Sequence, residues 1–226
     1  MTTLQISKNN NKIAILFDLD GTLINSLPDI CGALNQVRAG YGLRAREGEE
    51  IRVWIGKGAG HLIEGGIPEI PAEVRPEAVK HYKDALLERP SFGGSLYPGV
   101  RSVLELFQAA GVRLAVATNK SSKAAEASLA YYLPGFSFDS ISGPERVSRQ
   151  KPSPEHLLEP LKKLGIKPSA AWFVGDDPVD KDCAEAAGVR FLAAGYGFGG
   201  VKAPKEQCLK TFTDLLKKIP LPSVGF

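Results

Sequence analysis

Two aspartates, Asp18 and Asp20, stand one residue apart in the stretch ILFDLDGTLINS, which covers residues 15–26. Carboxylates this close raise each other's cost of ionisation, which points to a metal ion or a phosphate chemistry that offsets it. Asp18 is the candidate nucleophile, because a carboxylate that attacks phosphorus forms an aspartyl-phosphate. Asp20 lies on the same side of an extended chain and is the candidate general acid and base. The plain alternative is a surface turn, in which Asp and Gly are common.

A second acidic cluster lies in VGDDPVDKDCAEAAG, residues 174–188. Asp176 follows an apolar run, and Asp180 comes one helical turn later. Mg²⁺ is bound by one or two protein carboxylates together with substrate phosphate, so Asp18 and Asp176 are expected to hold Mg²⁺ and Asp180 to orient its ligands. Asp177 and Asp182 are expected only to favour the start of the helix.

Two further polar segments suit a phosphate group. ATNKSS (117–122) places the Thr118 hydroxyl and the Asn119 amide before a helix, whose first N–H groups bind anions. Lys151 precedes another helix in RQKPSPE and can neutralise a phosphoryl oxygen. Taken alone, the first segment is equally an ordinary helix cap and the lysine is ordinarily a solvated loop residue, so their weight comes from their combination with the aspartates.

Apolar runs alternate with helical patterns over most of the chain. The runs that predict buried strands are residues 12–18, 112–118, 171–176 and 189–195, with a weaker one at 138–143. The segments with helical periodicity are residues 99–111, 121–133 and 154–165, with Pro160 expected to kink or split the last. This alternation predicts an α/β fold, a parallel sheet covered on both faces.

The polar residues follow the predicted strands directly. Asp18 and Asp20, Thr118 and Asn119, and Asp176 all stand where a strand ends. Ligands of such sheets bind outside the carboxyl ends of the strands, so these side chains are expected to form one site.

Residues 27–96 interrupt the alternation, because their segments read as helices and no convincing strand is found among them. We interpret them as a small all-helical domain inserted into a core made of residues 1–26 and 97–226. Its joins are expected near Ser26–Pro28 and in the Pro- and Gly-rich segment 90–99.

Composition excludes several classes of protein. The 226 residues carry a net charge of +3 without a cluster of basic residues, which gives no nucleic-acid-binding surface. The cysteines, Cys31, Cys183 and Cys208, match no zinc spacing and are expected to be reduced thiols. The polar N-terminus and the absence of a long apolar run predict a cytoplasmic protein without membrane contact.

The four motifs, DLDGT, TN, KP and GDDPVD in this order, resemble those of the haloacid dehalogenase superfamily over nearly the whole chain. The resemblance implies a Rossmann-like, doubly wound core and a helical cap that closes over small substrates. It implies Asp18 as nucleophile, Asp20 as acid and base, Thr118 and Lys151 on phosphate, and Asp176 with Asp180 at Mg²⁺. Asp20 would bind the metal through its backbone carbonyl. Further stretches, such as RVWIGKGAG, FVGDDPVDKDCAEAAG and GYGFG, are similar to phosphoglycolate phosphatases.

The cap stretch 51–62 and the histidines need separate interpretations. Arg52 and Lys57 are candidates for binding a substrate carboxylate. We favour this role for Lys57 and interpret Arg52 as solvated and His61 as a surface residue. His81 and His156 are also expected on helix surfaces. The segment GYGFGG (195–200) is expected to form a loop near the site, with its aromatic rings packed.

The leading hypothesis is Mg²⁺-dependent hydrolysis of a small phosphomonoester, with 2-phosphoglycolate first among the substrates, by a monomer or homodimer. A phosphosugar mutase would use the same aspartates. A phosphonate hydrolase would need a cap lysine, Lys57, as a Schiff base. A non-catalytic phosphate-binding protein is the alternative from another class.

Overall fold

The computed structural model describes residues 13–219 and 221. In chain order its strands are β1 (Ala14–Phe17), β2 (Ile24–Asn25), β3 (Ser95–Leu96), β4 (Arg113–Ala117), β5 (Ser140–Ser142), β6 (Ala171–Gly175), β7 (Arg190–Ala194) and β8 (Cys208–Leu209). Six of them form one parallel sheet in the order β5-β4-β1-β6-β7-β8. The parallel sheet predicted from the alternating pattern is confirmed. Lys12, the first residue of the first predicted strand, lies outside the described residues, as do the other residues of the predicted core before Ile13.

The helices alternate with these strands. In chain order they are α1 (Leu27–Gly40), α2 (Gly48–Arg52), α3 (Ala59–Gly66), α4 (Arg75–Glu88), α5 (Val100–Ala109), α6 (Ser122–Tyr132), α7 (Glu155–Leu164), α8 (Pro178–Ala187) and α9 (Leu215–Lys218). The three helices predicted in the core are α5, α6 and α7, each within two residues of its expected bounds. Pro160 does not split α7, which continues through it as one helix.

Strand β1 shows why the sheet is covered on both faces. Its four side chains are all buried, and they alternate between two apolar clusters. Ile15 and Phe17 pack with residues of α5, α6 and α9, whereas Ala14 and Leu16 pack with residues of α7 and α8. Successive residues of a strand point to opposite faces, so an apolar run without alternation requires a helix layer on each face. The doubly wound arrangement is therefore confirmed.

Strand β1 also fixes where a ligand binds. It lies between β4 and β6, so the chain crosses to opposite sides of β1 at this point. Such a switch point opens a crevice beyond the carboxyl ends of the strands. The residues that follow β1, β4 and β6 are the predicted polar ones, Asp18, Thr118 and Asp176.

Helices α1–α4 pack around a further apolar cluster, which Ile30, Leu34 and Leu62 help to form and to which the core adds Ala124 and Phe198. The interpretation of residues 27–96 as free of strands is wrong at one place: β3 pairs antiparallel with β2. Two-residue strands carry no readable periodicity, so this ribbon leaves no signal in the sequence. It joins the chain segment that enters the helices to the one that leaves them.

Among the residues that the structure describes, no helix has the length and apolar character needed to cross a membrane.

Candidate active site

Asp18 and Asp20 lie at the carboxyl end of β1. The Asp18 N–H donates to the Val174 carbonyl oxygen at 2.9 Å, which extends the β1–β6 pairing by one residue and holds Asp18 at the sheet edge. Gly21 then turns the chain with a φ of 83°, a conformation that only glycine adopts easily. A Cβ atom on Gly21 would collide with the Asp176 carboxylate. Glycine is therefore required here for the turn and for the close approach of Asp176.

Lys151 connects two of the acidic residues. Its Nζ lies 2.7 Å from Asp18 Oδ1 and 2.6 Å from Asp180 Oδ1, and only 3% of the residue is exposed. The alternative of a solvated loop lysine does not hold for this residue. The second oxygen of Asp18, Oδ2, accepts no hydrogen bond within residues 13–219, so it is the oxygen left for chemistry.

The carboxylates at this edge are costly to ionise. Burial, partly offset by the Lys151 charge, raises the pKa of Asp18 to about 7. Burial also raises the pKa of Asp176 well above its ordinary value, and the charges of Asp18 and Asp180 add to this. The pKa of Lys151 is raised because Asp18 and Asp180 outweigh the effect of its burial. Three buried carboxylates, those of Asp18, Asp176 and Asp180, thus lie around the single ammonium group of Lys151.

Three carboxylates fit a divalent cation. Asp18, Asp176 and Asp180 each place an oxygen within 4.8 Å of the others, and all three are buried. Thr22 Oγ1 donates to Asp176 Oδ1 at 3.1 Å and the Gly199 N–H donates to Oδ2 at 2.7 Å, so Asp176 is held by neutral donors and pairs with no cation among the residues that the structure describes. Buried acceptors without a countercharge suit Mg²⁺.

Asp180 is held differently from Asp176. Its Oδ1 accepts from Lys151 and its Oδ2 accepts from the Asp177 N–H at 3.1 Å. Asp177 in turn accepts from the Val179 N–H at the start of α8, so it serves the helix start as predicted. Both oxygens of Asp180 are engaged, which favours the orienting role. Asp182 is exposed.

The Asp20 side chain is paired with a different cation. Its Oδ1 lies 2.9 Å from Nζ of Lys120, a buried lysine that the sequence analysis did not single out. Lys120 directly follows Thr118 and Asn119 in ATNKSS, so its place beside the predicted phosphate ligands was the available signal. Each catalytic candidate is therefore paired with a lysine, Asp18 with Lys151 and Asp20 with Lys120.

Thr118 and Asn119 lie together at the end of β4, both buried. Thr118 Oγ1 accepts from the Lys120 N–H at 3.2 Å. Asn119 is fully engaged: Oδ1 accepts from the Lys151 N–H at 3.0 Å, and Nδ2 donates to the carbonyls of Lys151 and Gly56 at 3.2 and 2.8 Å. Asn119 thus positions Lys151, and its contact with phosphate stays a prediction.

Residues of the helical segment 27–96 form hydrogen bonds with the loops that carry the site. Besides the Asn119–Gly56 bond, Gln150 Nε2 donates to the Lys57 carbonyl at 3.1 Å and Arg52 Nε donates to the Phe198 carbonyl. The cavity between the helical segment and the sheet edge has a volume of about 510 Å³, and all predicted site residues line it. Phe198 belongs to the 195–200 loop, which is packed near the site as expected. Arg52 and Lys57 themselves are exposed at the rim.

One histidine was wrongly placed on the surface. His156 is completely buried, and its Nε2 contacts the Ser142 carbonyl oxygen at 3.2 Å. Burial, followed by the Lys151 charge, lowers the pKa of His156 to about 4. It lies on the apolar side of α7, where the helix faces the sheet. His81 is exposed, as predicted, and His61 is half-buried and lines the cavity.

Comparisons with known proteins agree with this arrangement. A family model described as "Haloacid dehalogenase-like hydrolase" matches residues 15–194. The chain is 33% identical over 216 residues to a phosphoglycolate phosphatase of Pseudomonas savastanoi pv. phaseolicola, covering 91% of this chain and 78% of that protein. A solved structure described as a predicted phosphoglycolate phosphatase from Haemophilus somnus superposes with a TM-score of 0.83 at 28% identity, over 92% of this chain and 97% of that one.

A second solved structure carries a different ligand. CbbY from Rhodobacter sphaeroides, in complex with xylulose-(1,5)bisphosphate, superposes with a TM-score of 0.77 at 26% identity, over 90% of this chain and 96% of that one.

Proposed function

This chain belongs to the haloacid dehalogenase-like hydrolase family, and on that basis we propose that it is a phosphoric monoester hydrolase whose first candidate substrate is 2-phosphoglycolate. The observation that carries the proposal is the arrangement around Asp18. One oxygen of Asp18 is bound by Lys151, and Asp18 lines the cavity beside two further carboxylates. A nucleophile, a cation for the phosphoryl oxygens and a metal-binding set thus converge on one point.

The chemistry follows from the positions of the side chains. Asp18 Oδ2 forms a bond to phosphorus while the bond from phosphorus to the alcohol oxygen breaks, and Asp20 donates a proton to that oxygen. Asp20 then takes a proton from a water molecule whose oxygen attacks the aspartyl-phosphate, which releases phosphate and restores the Asp18 carboxylate. Lys151 and Thr118 stabilise the phosphoryl oxygens throughout.

A magnesium ion is proposed as the cofactor, held by Asp18, Asp176 and the backbone carbonyl of Asp20, with Asp180 orienting Lys151 beside it. Bound there, Mg²⁺ would neutralise phosphoryl charge. The raised pKa values of Asp18 and Asp176 support this assignment, because they reflect buried negative charge that a cation would offset.

Residues 27–96 are proposed to be a cap domain, and residues 1–26 and 97–226 the catalytic core. The apolar cluster around helices α1–α4 supports this division, because most of its buried members belong to residues 27–96. Three hydrogen bonds cross from the helical segment to the core loops: Asn119 to Gly56, Gln150 to Lys57 and Arg52 to Phe198. Closure in this manner would exclude bulk water from the first step, and opening would release the product.

A small sugar phosphate is the second candidate substrate. The cavity of about 510 Å³ is within the range of sites for larger ligands and exceeds what a two-carbon ester needs. The structural likeness to CbbY with its bisphosphate ligand supports the same alternative. The exposed Lys57 does not favour a phosphonate hydrolase, because a Schiff-base lysine is activated by a desolvated pocket.

The test is phosphate release in the presence of Mg²⁺ from 2-phosphoglycolate, sugar phosphates, nucleotides, pyrophosphate and a chromogenic phosphoester. Asp18→Asn is the inactive control. We expect 2-phosphoglycolate to give the highest kcat/KM and the variant to give none. Preference for a sugar phosphate would retain the phosphatase and replace the substrate, and an isomerised sugar phosphate without free phosphate would indicate a mutase. No turnover by folded, Mg²⁺-loaded protein would contradict the proposal.

A further inference from the structure

Lys120 is a buried cation to which the proposed reaction gives no role. Only 7% of its side chain is exposed, and it lines the cavity on the core side. Its ammonium group donates to Asp20 Oδ1 at 2.9 Å, the one hydrogen bond it makes with the described part of the chain. An ammonium has three donors, and burying one is costly unless it is paired. Two donors are therefore left for something that enters the cavity.

Tyr82 supplies a second unused polar group. It extends from α4 of the helical segment, is 6% exposed and lines the same cavity. Its hydroxyl makes no hydrogen bond to residues 13–219, which leaves it available to a ligand. Burial raises the pKa of Tyr82 well above its ordinary value, and the nearby Asp20 charge adds to this. The phenol is thus a protonated donor in the wall of the cavity that Asp20 and Lys120 also line.

Part of the wall of the same cavity is apolar. Ile30, Leu62 and Leu86 from the helical segment and Ala124 from α6 are buried and line the cavity. A charge-assisted hydrogen bond within apolar walls is stronger than one in water. The compartment therefore suits a small organic group that ends in an anion.

The position of Asp20 indicates which part of the substrate would lie near Lys120. Asp20 is the proposed acid for the leaving oxygen, so the alcohol part of the substrate lies next to it. Lys120 donates to Asp20 itself, so its ammonium group lies next to the carboxyl that is proposed to protonate the leaving oxygen.

We propose that Lys120 and Tyr82 bind the carboxylate of a phosphorylated 2-hydroxy acid and so determine substrate choice. This inference rests on the proposed phosphatase function. It replaces Arg52 and Lys57 as the carboxylate ligands, because both are exposed and Arg52 is already bound by the Phe198 carbonyl and paired with Glu49. Lys120 and Tyr82 are binding residues, and Lys120 also positions Asp20.

The test compares kcat/KM for 2-phosphoglycolate with kcat/KM for ethyl phosphate, in which a methyl group stands in place of the carboxylate. Any effect of Lys120 through Asp20 affects both esters, so it cancels in the ratio of the two values. We expect the ratio to fall at least tenfold in Lys120→Met, which loses a hydrogen bond between two charged groups. We expect it to fall about threefold in Tyr82→Phe, because Lys120 still binds the carboxylate in that variant. Lys123→Met, an exposed lysine on α6, is the matched control and should keep the wild-type ratio.

The outcomes separate the two proposals. A wild-type enzyme that hydrolyses other phosphoesters but not 2-phosphoglycolate contradicts the proposed substrate and the carboxylate subsite together. If the wild-type enzyme prefers 2-phosphoglycolate and both Lys120→Met and Tyr82→Phe keep the wild-type ratio, the proposed substrate stands and the carboxylate subsite is overturned. If the ratio falls in Lys57→Met and does not change in Lys120→Met, the substrate carboxylate binds at the rim of the cavity and the proposed subsite is wrong.

Discussion

Lys151 places its ammonium nitrogen 2.7 Å from Oδ1 of Asp18, although 133 positions separate the two residues in the chain. The contact joins the loop before α7 to the end of β1, and Asp180 completes it from α8. Three elements of the core thus meet at one cation. The consequences of this arrangement, and of the buried groups around it, can be measured.

Removal of the Lys151 charge is expected to affect both stability and catalysis. Lys151→Met leaves Asp18 and Asp180 buried without their cationic partner, which costs about 3–5 kcal/mol of unfolding free energy for a broken buried pair. It also removes a cation from the phosphoryl oxygens, which lowers kcat by about 100-fold or more. Urea unfolding and steady-state kinetics measure the two effects. Lys162→Met, at an exposed position on α7, is the control and should change neither.

Magnesium binding is expected to stabilise the protein through Asp176. Binding to the folded state alone adds about 2.7 kcal/mol at 100 times Kd, a rise in Tm of roughly 5–10 °C for a chain of this size. Asp176→Asn should lose this rise, whereas Asp182→Asn, an exposed neighbour on α8, should keep it. Thermal unfolding with Mg²⁺ and with a chelator is the measurement. An equal rise in both variants would place the ion elsewhere.

His156 is expected to make the protein sensitive to acid. Its pKa is about 4 in the folded protein and about 6.5 when exposed, so the unfolded state takes up the proton first. The stability contributed by neutral His156 is complete above pH 6.5 and is lost as the pH falls towards 4, with about 2 kcal/mol gone by pH 5. His156→Gln should remove this part of the slope.

The measurement is urea unfolding at pH 7.5 and pH 5 for wild type, His156→Gln and His81→Gln. His81 is exposed and serves as the control. For each variant, the change in unfolding free energy between the two pH values is compared with the change in wild type. The active-site carboxylates titrate in all three proteins, so their contribution cancels in this comparison. The same pH dependence in His156→Gln and wild type would show that the buried imidazole does not set it.

Asp29 is expected to stabilise the connection between the helical segment and the core. Its Oδ1 accepts from the N–H groups of Phe92 and Gly94 at 2.7 and 2.9 Å, and its Oδ2 accepts from the Tyr132 hydroxyl at 2.6 Å. Asp29→Ala leaves the two N–H groups without a partner, while the Tyr132 hydroxyl keeps its bond to Ser91 Oγ, and it should cost about 2–4 kcal/mol in urea unfolding. Asp29→Asn keeps one acceptor oxygen and should cost less. Equal losses in the two variants would contradict the role of Oδ1.

The sequence was sufficient to locate the groups that follow buried strands. Asp18, Thr118 and Asp176 could be placed together because strand ends in a parallel sheet share one edge. Lys120 was missed because a lysine before a helix resembles a solvated residue until the opposite wall of the cavity is known. His156 was misplaced because only the packing of α7 on the sheet decides which of its sides is buried.

The segments between the helices and the sheet were predictable only in part. A Pro- and Gly-rich join indicated a boundary, but the pairing of β2 with β3 depends on two residues in each strand and has no pattern of its own. Asp29 reads as an acid in the first turn of α1, and its bonds to residues 92 and 94 arise from tertiary contacts.

The central claim is that Asp18 carries the phosphoryl group between the two halves of the reaction. Its most direct test is the stereochemical course at phosphorus, with a chiral, isotopically labelled phosphoester hydrolysed in labelled water. Transfer to Asp18 and then to water is two displacements, so the account predicts retention of configuration. Inversion would mean that water attacks the ester directly, and it would contradict the role of Asp18 as nucleophile.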